Sequence, residues 1–229
     1  MRRIGLISDI HGNLPAFRSV LDALREAHVD TLICCGDVIG VGSSPGACTR
    51  LARSHVDHGV KGNHEYALLR GSDDAALASA SAELSEEDLR YYEGLPEIAT
   101  FKEFAVVHAS FRAPMMEYIL DRETAQASFA LFDQWIGFHG HTHIPAVFML
   151  SGCEVRSLDL TSGQAVRLHR SMRYLINPGS VGMPRNGSCG ASYALLDLES
   201  ETLTLDEVSH DGDLALSGAS LRQARGGRR

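Results

Sequence analysis

The first 64 residues alternate apolar runs with helical patterns, and this alternation constrains the fold more than any other feature. Residues 3–9 and 31–37 are apolar on both faces, which is typical of strands covered by helices. A helix with apolar residues at helical spacing begins after Asn13, and a second one spans residues 44–55. A third short strand with its exit loop follows at 56–64. This order predicts two βαβ units.

The rest of the chain divides into a helical middle and a β-rich second half. Residues 65–92 are mostly helical, and Ser85, which precedes three acidic residues, is a typical helix start. Residues 98–110 predict a hairpin, and Asp121 begins another helix. From Trp135 onward, strands separated by turns favour a second, largely antiparallel sheet. We predict an α/β (α+β-like) fold of two stacked mixed β-sheets flanked by helices, a four-layer sandwich.

The length and composition are those of one globular unit. With 229 residues, 44% of them hydrophobic, the chain can bury a sizeable core. We expect a single domain over residues 1–215 and a frayed tail over 216–229, because the sequence shows no linker-like segment. Since no apolar run approaches the roughly 20 residues of a membrane span, we expect no membrane association. The first 13 residues read as a strand and not as a signal peptide.

The net charge and the cysteine content limit the expected binding partners and the expected cellular compartment. A net charge of -8 argues against a general nucleic-acid binder. It leaves phosphate substrates open, because bound cations reverse the local field. The five cysteines are odd in number and form no CxxC motif, so we expect reduced thiols and a cytoplasmic protein.

Polar clusters follow the predicted strands where each strand ends. They comprise residues 9–11, 36–37, 62–65, 108 and 140–143. Asp9, Asp37 and Asn63 are separated by about one βαβ unit each, which takes about 30 residues. Because the carboxyl ends of parallel strands lie side by side, we expect these side chains to converge on one crevice.

The segment GFHGHTHIP carries histidines at alternate positions, which is unusual for the end of a strand. Imidazole is a poor core group unless its nitrogens are paired, so His139, His141 and His143 suggest ligands. Carboxylate, imidazole and amide donors without thiolate are the ligands of borderline transition metals. Seven candidates are too many for one ion that keeps a water, and they suit two ions sharing a carboxylate: Asp9, His11, Asp37, Asn63, His108, His141 and His143. Metal pairs about 4 Å apart hydrolyse phosphate esters.

The order of these motifs resembles a known family. The sequence contains D-x-H, G-D, G-N-H-E, a histidine in VVHAS, and G-H-T-H, in that order, between Asp9 and His143. This set resembles the calcineurin-like metallophosphoesterases, and residues 177–198 resemble their small bacterial and archaeal phosphodiesterase branch. The resemblance implies a two-sheet sandwich and a dinuclear-metal-dependent phosphoesterase. A phosphodiesterase acting on a small phosphate ester is the first expectation.

The resemblance also implies a role for each matching residue. One metal site would use Asp9, His11, Asp37 and His143, and the other would use Asp37, Asn63, His108 and His141, so that Asp37 bridges. His64 would be the general acid or the group that stabilises the leaving group. The ions would be two divalent transition metals, with manganese expected first and iron, nickel, cobalt or zinc accepted by the same donors. A hydroxide bridging the ions would attack phosphorus.

Several residues have two interpretations. His139 lies outside the family pattern, and we expect a strand-edge or buried histidine that is hydrogen-bonded to backbone, with support of a metal-ligating residue as the alternative. Asn13 is interpreted first as a helix cap, and contact with substrate is the alternative. For Arg112, pairing with a substrate phosphate and a solvated position in a loop are equally favoured. For Arg185 the same two interpretations apply, and the solvated position is favoured. Segment 71–90 is interpreted as surface helix, with a lid or a partner surface as alternatives.

Other functions of the same fold remain alternatives. A dinucleoside polyphosphate hydrolase or a phosphomonoesterase would use the same chemistry. A protein phosphatase is least favoured, because the chain is short. A non-catalytic protein-binding scaffold is the rival from another class, and the complete set of ligands together with His64 ranks catalysis ahead of it. The sequence leaves a homo-oligomer open.

Overall fold

Two mixed six-stranded β-sheets form the scaffold of a computed structural model that describes residues 3–158 and 162–211. The strands are β1 (Arg3–Ile7), β2 (Thr31–Cys34), β3 (His58–Gly59), β4 (Ile98–Thr100), β5 (Phe104–Val107), β6 (Ile136–Phe138), β7 (Ala146–Ser151), β8 (Glu154–Leu158), β9 (Ala165–Arg167), β10 (Arg173–Asn177), β11 (Ala191–Asp197) and β12 (Thr202–Val208). The helices are α1 (Leu14–Glu26), α2 (Pro45–His55), α3 (Asn63–Leu69), α4 (Ala75–Glu83), α5 (Glu86–Gly94) and α6 (Arg122–Phe129).

The first sheet has the order β3-β2-β1-β11-β12-β9. Its N-terminal strands are parallel, with Ile7 opposite Cys34 and Cys34 opposite Gly59. The two predicted βαβ units are therefore confirmed. The parallel pairing places the carboxyl ends of β1, β2 and β3 at one edge, where the loops that leave them can meet.

The prediction that the strands after Trp135 build the second sheet is wrong for two of the predicted strands. β11 and β12 join the first sheet through antiparallel pairs, and β9 pairs with β12 at its edge. The physical reason is that β1 would otherwise present an unpaired edge, which β11 covers. The short strand β9 was not predicted at all.

The second sheet has the order β4-β5-β6-β10-β7-β8. The hairpin predicted for residues 98–110 is present as β4 and β5. β6 lies between β5 and β10 and is parallel to both, whereas the other three strand pairs are antiparallel, so this sheet is mixed with a majority of antiparallel pairs, as expected. The loops after β5 and β6 consequently leave the sheet at the same end.

Apolar side chains on both faces of the central strands create three stacked cores. Ile4 and Leu6 of β1 pack with Phe104 and Val106 of β5 between the sheets. Ile7 faces the opposite way, into the core beneath α1. On the other outer face, residues of the second sheet pack against α6. Helix, sheet, sheet and helix thus form the predicted four layers, and runs that are apolar on both faces follow from this arrangement.

The helix starts predicted from the sequence agree with the structure. The side chain of Asn13 accepts a hydrogen bond from the Ala16 amide, and Asp121 caps α6 through the Thr124 amide. The helical middle is divided into α3, α4 and α5. Within it, α4 buries Leu77 and Ala80 and exposes much of its remaining surface.

Three predictions concern the chain as a whole. Within residues 3–158 and 162–211, no helix is both long and apolar enough to cross a membrane. All five cysteines are free thiols, as expected. The tail at 216–229, and with it the domain boundary at residue 215, lies outside the described residues.

Asp88 joins α5 to α2 from a fully buried position. Its Oδ2 accepts from the Ser85 amide at 3.0 Å, and the Ser85 hydroxyl accepts from the Asp88 amide at 3.2 Å. Its Oδ1 accepts from the Arg53 guanidinium of α2 at 2.7 Å. Burial raises the pKa of Asp88, but the hydrogen bonds from Ser85 and Arg53 outweigh it and hold this pKa below its usual range.

We expect Asp88→Asn to lower the free energy of unfolding by about 2 kcal/mol, because a buried charged hydrogen bond is lost. The depressed pKa means that the contribution is fully present above the unfolded-state pKa of about 4 and is lost as pH falls through the folded-state value. Urea unfolding between pH 5 and pH 8 should therefore show a constant difference from wild type. Asp73→Asn, at an exposed position, is the control. Equal stability of wild type and Asp88→Asn would contradict the assignment.

Candidate active site

The loops that leave both sheets meet at one end of the molecule. Between the loops after β1 and β2 the Asp9 amide donates to the Gly36 carbonyl at 3.0 Å, and between the loops after β5 and β6 the Gly140 amide donates to the His108 carbonyl at 2.8 Å. Across the sheets, the His141 amide donates to Asp9 Oδ2 at 3.0 Å. These bonds hold the polar clusters of the sequence in a single assembly.

A first group of donor atoms comes from the loops after β1, β2 and β6. His11 Nε2 and His143 Nε2 are 2.9 Å apart. Asp9 Oδ1 lies 3.4 Å from His143 Nε2 and 3.8 Å from His11 Nε2. Asp37 Oδ2 lies 3.7 Å from His11 Nε2. All four side chains are buried.

A second group comes from the loops after β2, β5 and β6 and from Asn63, the first residue of α3. His108 Nε2 lies 3.0 Å from Asn63 Oδ1 and 3.1 Å from His141 Nδ1. The same nitrogen is 3.4 Å from Asp37 Oδ2. Asp37 Oδ2 thus belongs to both groups, and all seven candidate ligands lie in one continuous donor cluster.

The hydrogen bonds of two histidines show which ring nitrogen faces the cluster with a lone pair. His143 Nδ1 donates to the Met183 carbonyl and His108 Nδ1 donates to the Cys35 carbonyl, each at 2.7 Å. A carbonyl only accepts, so in the neutral ring Nδ1 carries the proton and Nε2 presents a lone pair. Ligand atoms about 2.1 Å from one cation are about 3 to 3.5 Å apart, which is close to the spacing within each group. The donor set therefore fits two divalent cations.

The electrostatics of the cluster suit cation binding. Burial raises the pKa of Asp9 and of Asp37, but neighbouring histidines outweigh it and hold both values well below the usual range. Burial lowers the pKa of His11 to about 3 and that of His141 to about 4, so these rings are neutral at pH 7. Burial also lowers the pKa of His108, but Asp37 outweighs it and raises the value to about 9. In its protonated form His108 would partly balance the two carboxylates, and a bound cation would replace that proton at Nε2.

Backbone strain is concentrated at the same residues. Five of the seven candidate ligands have positive φ, between 49° and 66°: Asp9, His11, Asp37, His141 and His143. Residues other than glycine rarely adopt this left-handed conformation, which costs roughly 1–2 kcal/mol each. Such strain persists where the surrounding structure requires one side-chain direction, as at a functional site.

The glycines that precede ligands serve two different purposes. Gly36 has a φ of +96°, so the sharp turn before Asp37 needs a residue without a Cβ. Gly62 instead leaves space, because a Cβ there would lie 2.0 Å from Asp37 Oδ1. A side chain at residue 62 would therefore push the shared carboxylate out of position.

Glu65 has a positioning role that sequence reasoning missed. Its buried carboxylate accepts from the amides of Asp37 at 2.9 Å, Ile39 at 3.0 Å and Gly62 at 2.8 Å. It thereby joins the loop after β2 to the start of α3. The only signal in the sequence was its place in the G-N-H-E motif, where a charged residue follows two predicted site residues.

His64 lies at the open side of the donor cluster. Its side chain is 24% exposed, its Nε2 is 3.9 Å from Asp37 Oδ2, and its ring stands edge-on to His11 with 4.9 Å between centroids. Its backbone amide donates to Asp37 Oδ1 at 3.0 Å. His64 is therefore close to the first donor group while remaining in contact with solvent.

The structure places the other candidates around the cluster. Asn13 caps α1 and its Nδ2 donates to the Gly182 carbonyl at 3.1 Å, so both polar atoms of its side chain are used. Arg112 is paired with Glu117, with Nε 3.1 Å from Oε1. Contact of either residue with substrate stays a prediction.

Arg185 and His139 lie beside the segment that carries the last ligands. The Arg185 amide donates to the His143 carbonyl at 3.1 Å. The fully buried ring of His139 contacts the Asn177 side-chain amide through Nδ1 at 3.3 Å, and its own backbone amide donates to the Ile176 carbonyl at 3.0 Å. His139 is thus a buried histidine held by neighbouring polar groups.

Comparison with known proteins identifies the family. The model for the calcineurin-like phosphoesterase superfamily domain matches residues 1–201. The chain belongs to this superfamily. An uncharacterized protein of Methanocaldococcus jannaschii is 32% identical over 221 residues, covering 91% of this chain and 88% of that protein. Phosphodiesterase YfcE of Escherichia coli is 24% identical over 208 residues, covering 86% and 88%.

Solved structures support the same assignment. A metallophosphoesterase from Sphaerobacter thermophilus superposes with a TM-score of 0.82 at 34% sequence identity. The superposition covers 97% of this chain and 94% of the Sphaerobacter chain. Hypothetical protein PH1004 of Pyrococcus horikoshii has a TM-score of 0.70 at 17% identity, covering 92% and 89%, and shows the fold alone. The two mixed sheets with flanking helices are therefore the calcineurin-like phosphoesterase sandwich.

We expect Glu65→Gln to weaken binding of Mn²⁺ by about 10- to 100-fold, the usual effect of removing a group that orients a ligand. The three amides around Glu65 require acceptors, and the glutamine NH₂ would face at least one of them. Isothermal titration calorimetry with Mn²⁺ measures the change, and circular dichroism checks that the variant is folded. Glu93→Gln, at an exposed position, is the control. Unchanged affinity in a folded Glu65→Gln variant would contradict the positioning role.

Proposed function

We propose that this protein is a phosphodiesterase that hydrolyses a small phosphate ester with two divalent transition-metal ions. The proposed ligands are Asp9, His11, Asp37 and His143 for one ion, and Asp37, Asn63, His108 and His141 for the other. The single observation that carries the proposal is that Asp37 Oδ2 belongs to both donor groups. When bound, the ions supply an activated water and neutralise the phosphate charge, and manganese is the first expectation among the metals that such donors accept.

Each carboxylate of the cluster divides its two oxygens between the backbone and the donor groups. Asp9 accepts the His141 amide with Oδ2, and Asp37 accepts the His64 amide with Oδ1. In each case the other oxygen points toward histidine nitrogens of the cluster. The backbone bonds therefore orient the carboxylates before any ligand arrives, so that little reorganisation is needed.

His64 is the proposed proton donor to the leaving oxygen. It is close to the shared carboxylate and partly open to solvent, where an ester group would leave. A positioned imidazole that transfers a proton in the transition state contributes on the order of 10²- to 10⁴-fold to the rate. The effect is largest for poor leaving groups, because these need a proton most.

The choice of a diester rests on a relative and not on the geometry of the site. Phosphodiesterase YfcE covers most of the chain at 24% identity. A monoester would be held by the same donors. Parallel assays with a diester and a monoester therefore decide between the two substrate classes.

We expect Asp37→Asn to lower kcat/KM for bis(p-nitrophenyl) phosphate by on the order of 10³-fold or more, because both donor groups lose their shared charge. Metal content measured by mass spectrometry should fall from two ions to one or none. Asp22→Asn, on the exposed surface of α1, is the matched control. Full metal content and full activity in Asp37→Asn, or activity of the wild type in excess chelator, would contradict the proposed function.

We expect His64→Ala to keep both ions and to lose about 10²- to 10⁴-fold in kcat, with a larger loss on alkyl than on p-nitrophenyl esters. Steady-state kinetics on both ester types, with metal analysis of the same samples, measures the effect. His55→Ala, at the exposed end of α2, is the control. Equal rates of wild type and His64→Ala on alkyl esters would remove His64 from the mechanism.

A further inference from the structure

Three apolar side chains are exposed on one short stretch of the loop between β5 and α6. Met116 is 69% exposed, Tyr118 is 43% exposed and Leu120 is 60% exposed. We call Met116, Tyr118 and Leu120 the apolar rim. Met115 and Ile119, on the same loop, are buried. Exposed apolar residues are unremarkable singly, but several together often mark a binding surface.

The exposure of the apolar rim is fixed by the way the loop is held. The Ala109 amide donates to the Pro114 carbonyl at 2.9 Å. Ser110 donates to Glu117 Oε2 at 2.6 Å, and the same carboxylate is paired with Arg112. Together with the buried anchors at 115 and 119, these bonds give the loop one defined conformation. These contacts keep the side chains of the apolar rim exposed to solvent, so a ligand would meet them without rearrangement of the loop.

Tyr118 connects the apolar rim to the donor cluster. Its ring lies parallel to the His141 ring, with 4.2 Å between centroids and 11° between planes. His141 Nδ1 in turn lies 3.1 Å from His108 Nε2, inside the second donor group. One face of Tyr118 is covered by His141, so its exposed area belongs to the opposite face and the edges.

We propose that Tyr118 determines specificity by stacking its open face on a flat aromatic group of the substrate. This inference rests on the proposed function and names the class of ester: one with an aryl group or a nucleobase near the phosphorus. A group bound at the donor cluster by its phosphate would extend past the ring that contacts His141. Because Arg112 is already paired with Glu117, the loop offers this group apolar and aromatic surface more than charge.

The test compares product-like phosphates that differ in the attached group. Methyl phosphate, phenyl phosphate and adenosine 5′-monophosphate are titrated into the Mn²⁺-loaded protein by calorimetry. Stacking of a base on an aromatic side chain predicts about tenfold or tighter binding of the aromatic phosphates relative to methyl phosphate. Phenyl phosphate places the ring next to the ester oxygen and the nucleotide places it beyond a ribose, so the tighter of the two identifies the source of the aromatic group.

Variants of Tyr118 separate stacking from a purely structural role. Tyr118→Phe should keep the preference for aromatic phosphates, whereas Tyr118→Leu and Tyr118→Ala should reduce the ratio of affinities to near one. Leu131→Ala, at another exposed apolar position, should keep the wild-type ratio. Metal analysis of each variant tests whether His141 still occupies its place.

Several results would overturn the inference. A Tyr118→Ala variant that keeps the aromatic preference, or that weakens all three phosphates by one factor, would assign Tyr118 to supporting His141 alone. A change in molecular mass by light scattering with an unchanged ratio would make the rim a protein interface. If the wild type hydrolyses the diester but binds the aromatic phosphates no more tightly than methyl phosphate, only this inference is overturned. A wild type that binds none of the phosphates would contradict the proposed function as well.

Discussion

The carboxylate of Asp37 is the interaction on which the rest of the arrangement depends. One oxygen is held by a backbone amide and the other is shared by the two donor groups. To place it there, the chain accepts a left-handed residue, keeps glycine at position 62 and buries the carboxylate of Glu65. Each of these features is unfavourable alone, and together they fix one side-chain direction.

The two-sheet architecture explains how distant segments reach this carboxylate. Parallel pairing brings the loops after β1, β2 and β3 side by side, and the second sheet delivers the loops after β5 and β6 from across the core. The loop after β6 is then tied to the first sheet by the hydrogen bond from the His141 amide to Asp9. The packing of the two sheets therefore brings together the side chains of both donor groups, because each group draws residues from both sheets.

Much of this could be predicted from the sequence because the relevant physics is local. The apolar runs of β1 and β2, the caps at Asn13, Ser85 and Asp121, and polar residues at strand ends all have direct signatures. The partners of β11 could not be predicted, since its pattern suits any open strand edge. β9 has only three residues, and the first and last are exposed, so its sequence shows too little alternation of apolar and polar residues to be recognised as a strand.

Side-chain geometry was the other part beyond reach of the sequence. Nothing in the letters of G-N-H-E shows that Glu65 accepts three amides from two loops. In the same way, a tyrosine in an irregular loop gives no sign that its ring will lie flat on His141. Both depend on how the loops fold back over the sheets, which is a tertiary property.

The left-handed residues have a consequence for how this chain can change over time. At Asp9 or Asp37, replacement by glycine would relieve the left-handed strain of the main chain, roughly 1–2 kcal/mol at each position. Backbone strain taken alone therefore favours glycine over aspartate at these two positions. Where a descendant of this chain keeps aspartate at these positions, selection still acts on the groups that the two carboxylates bind.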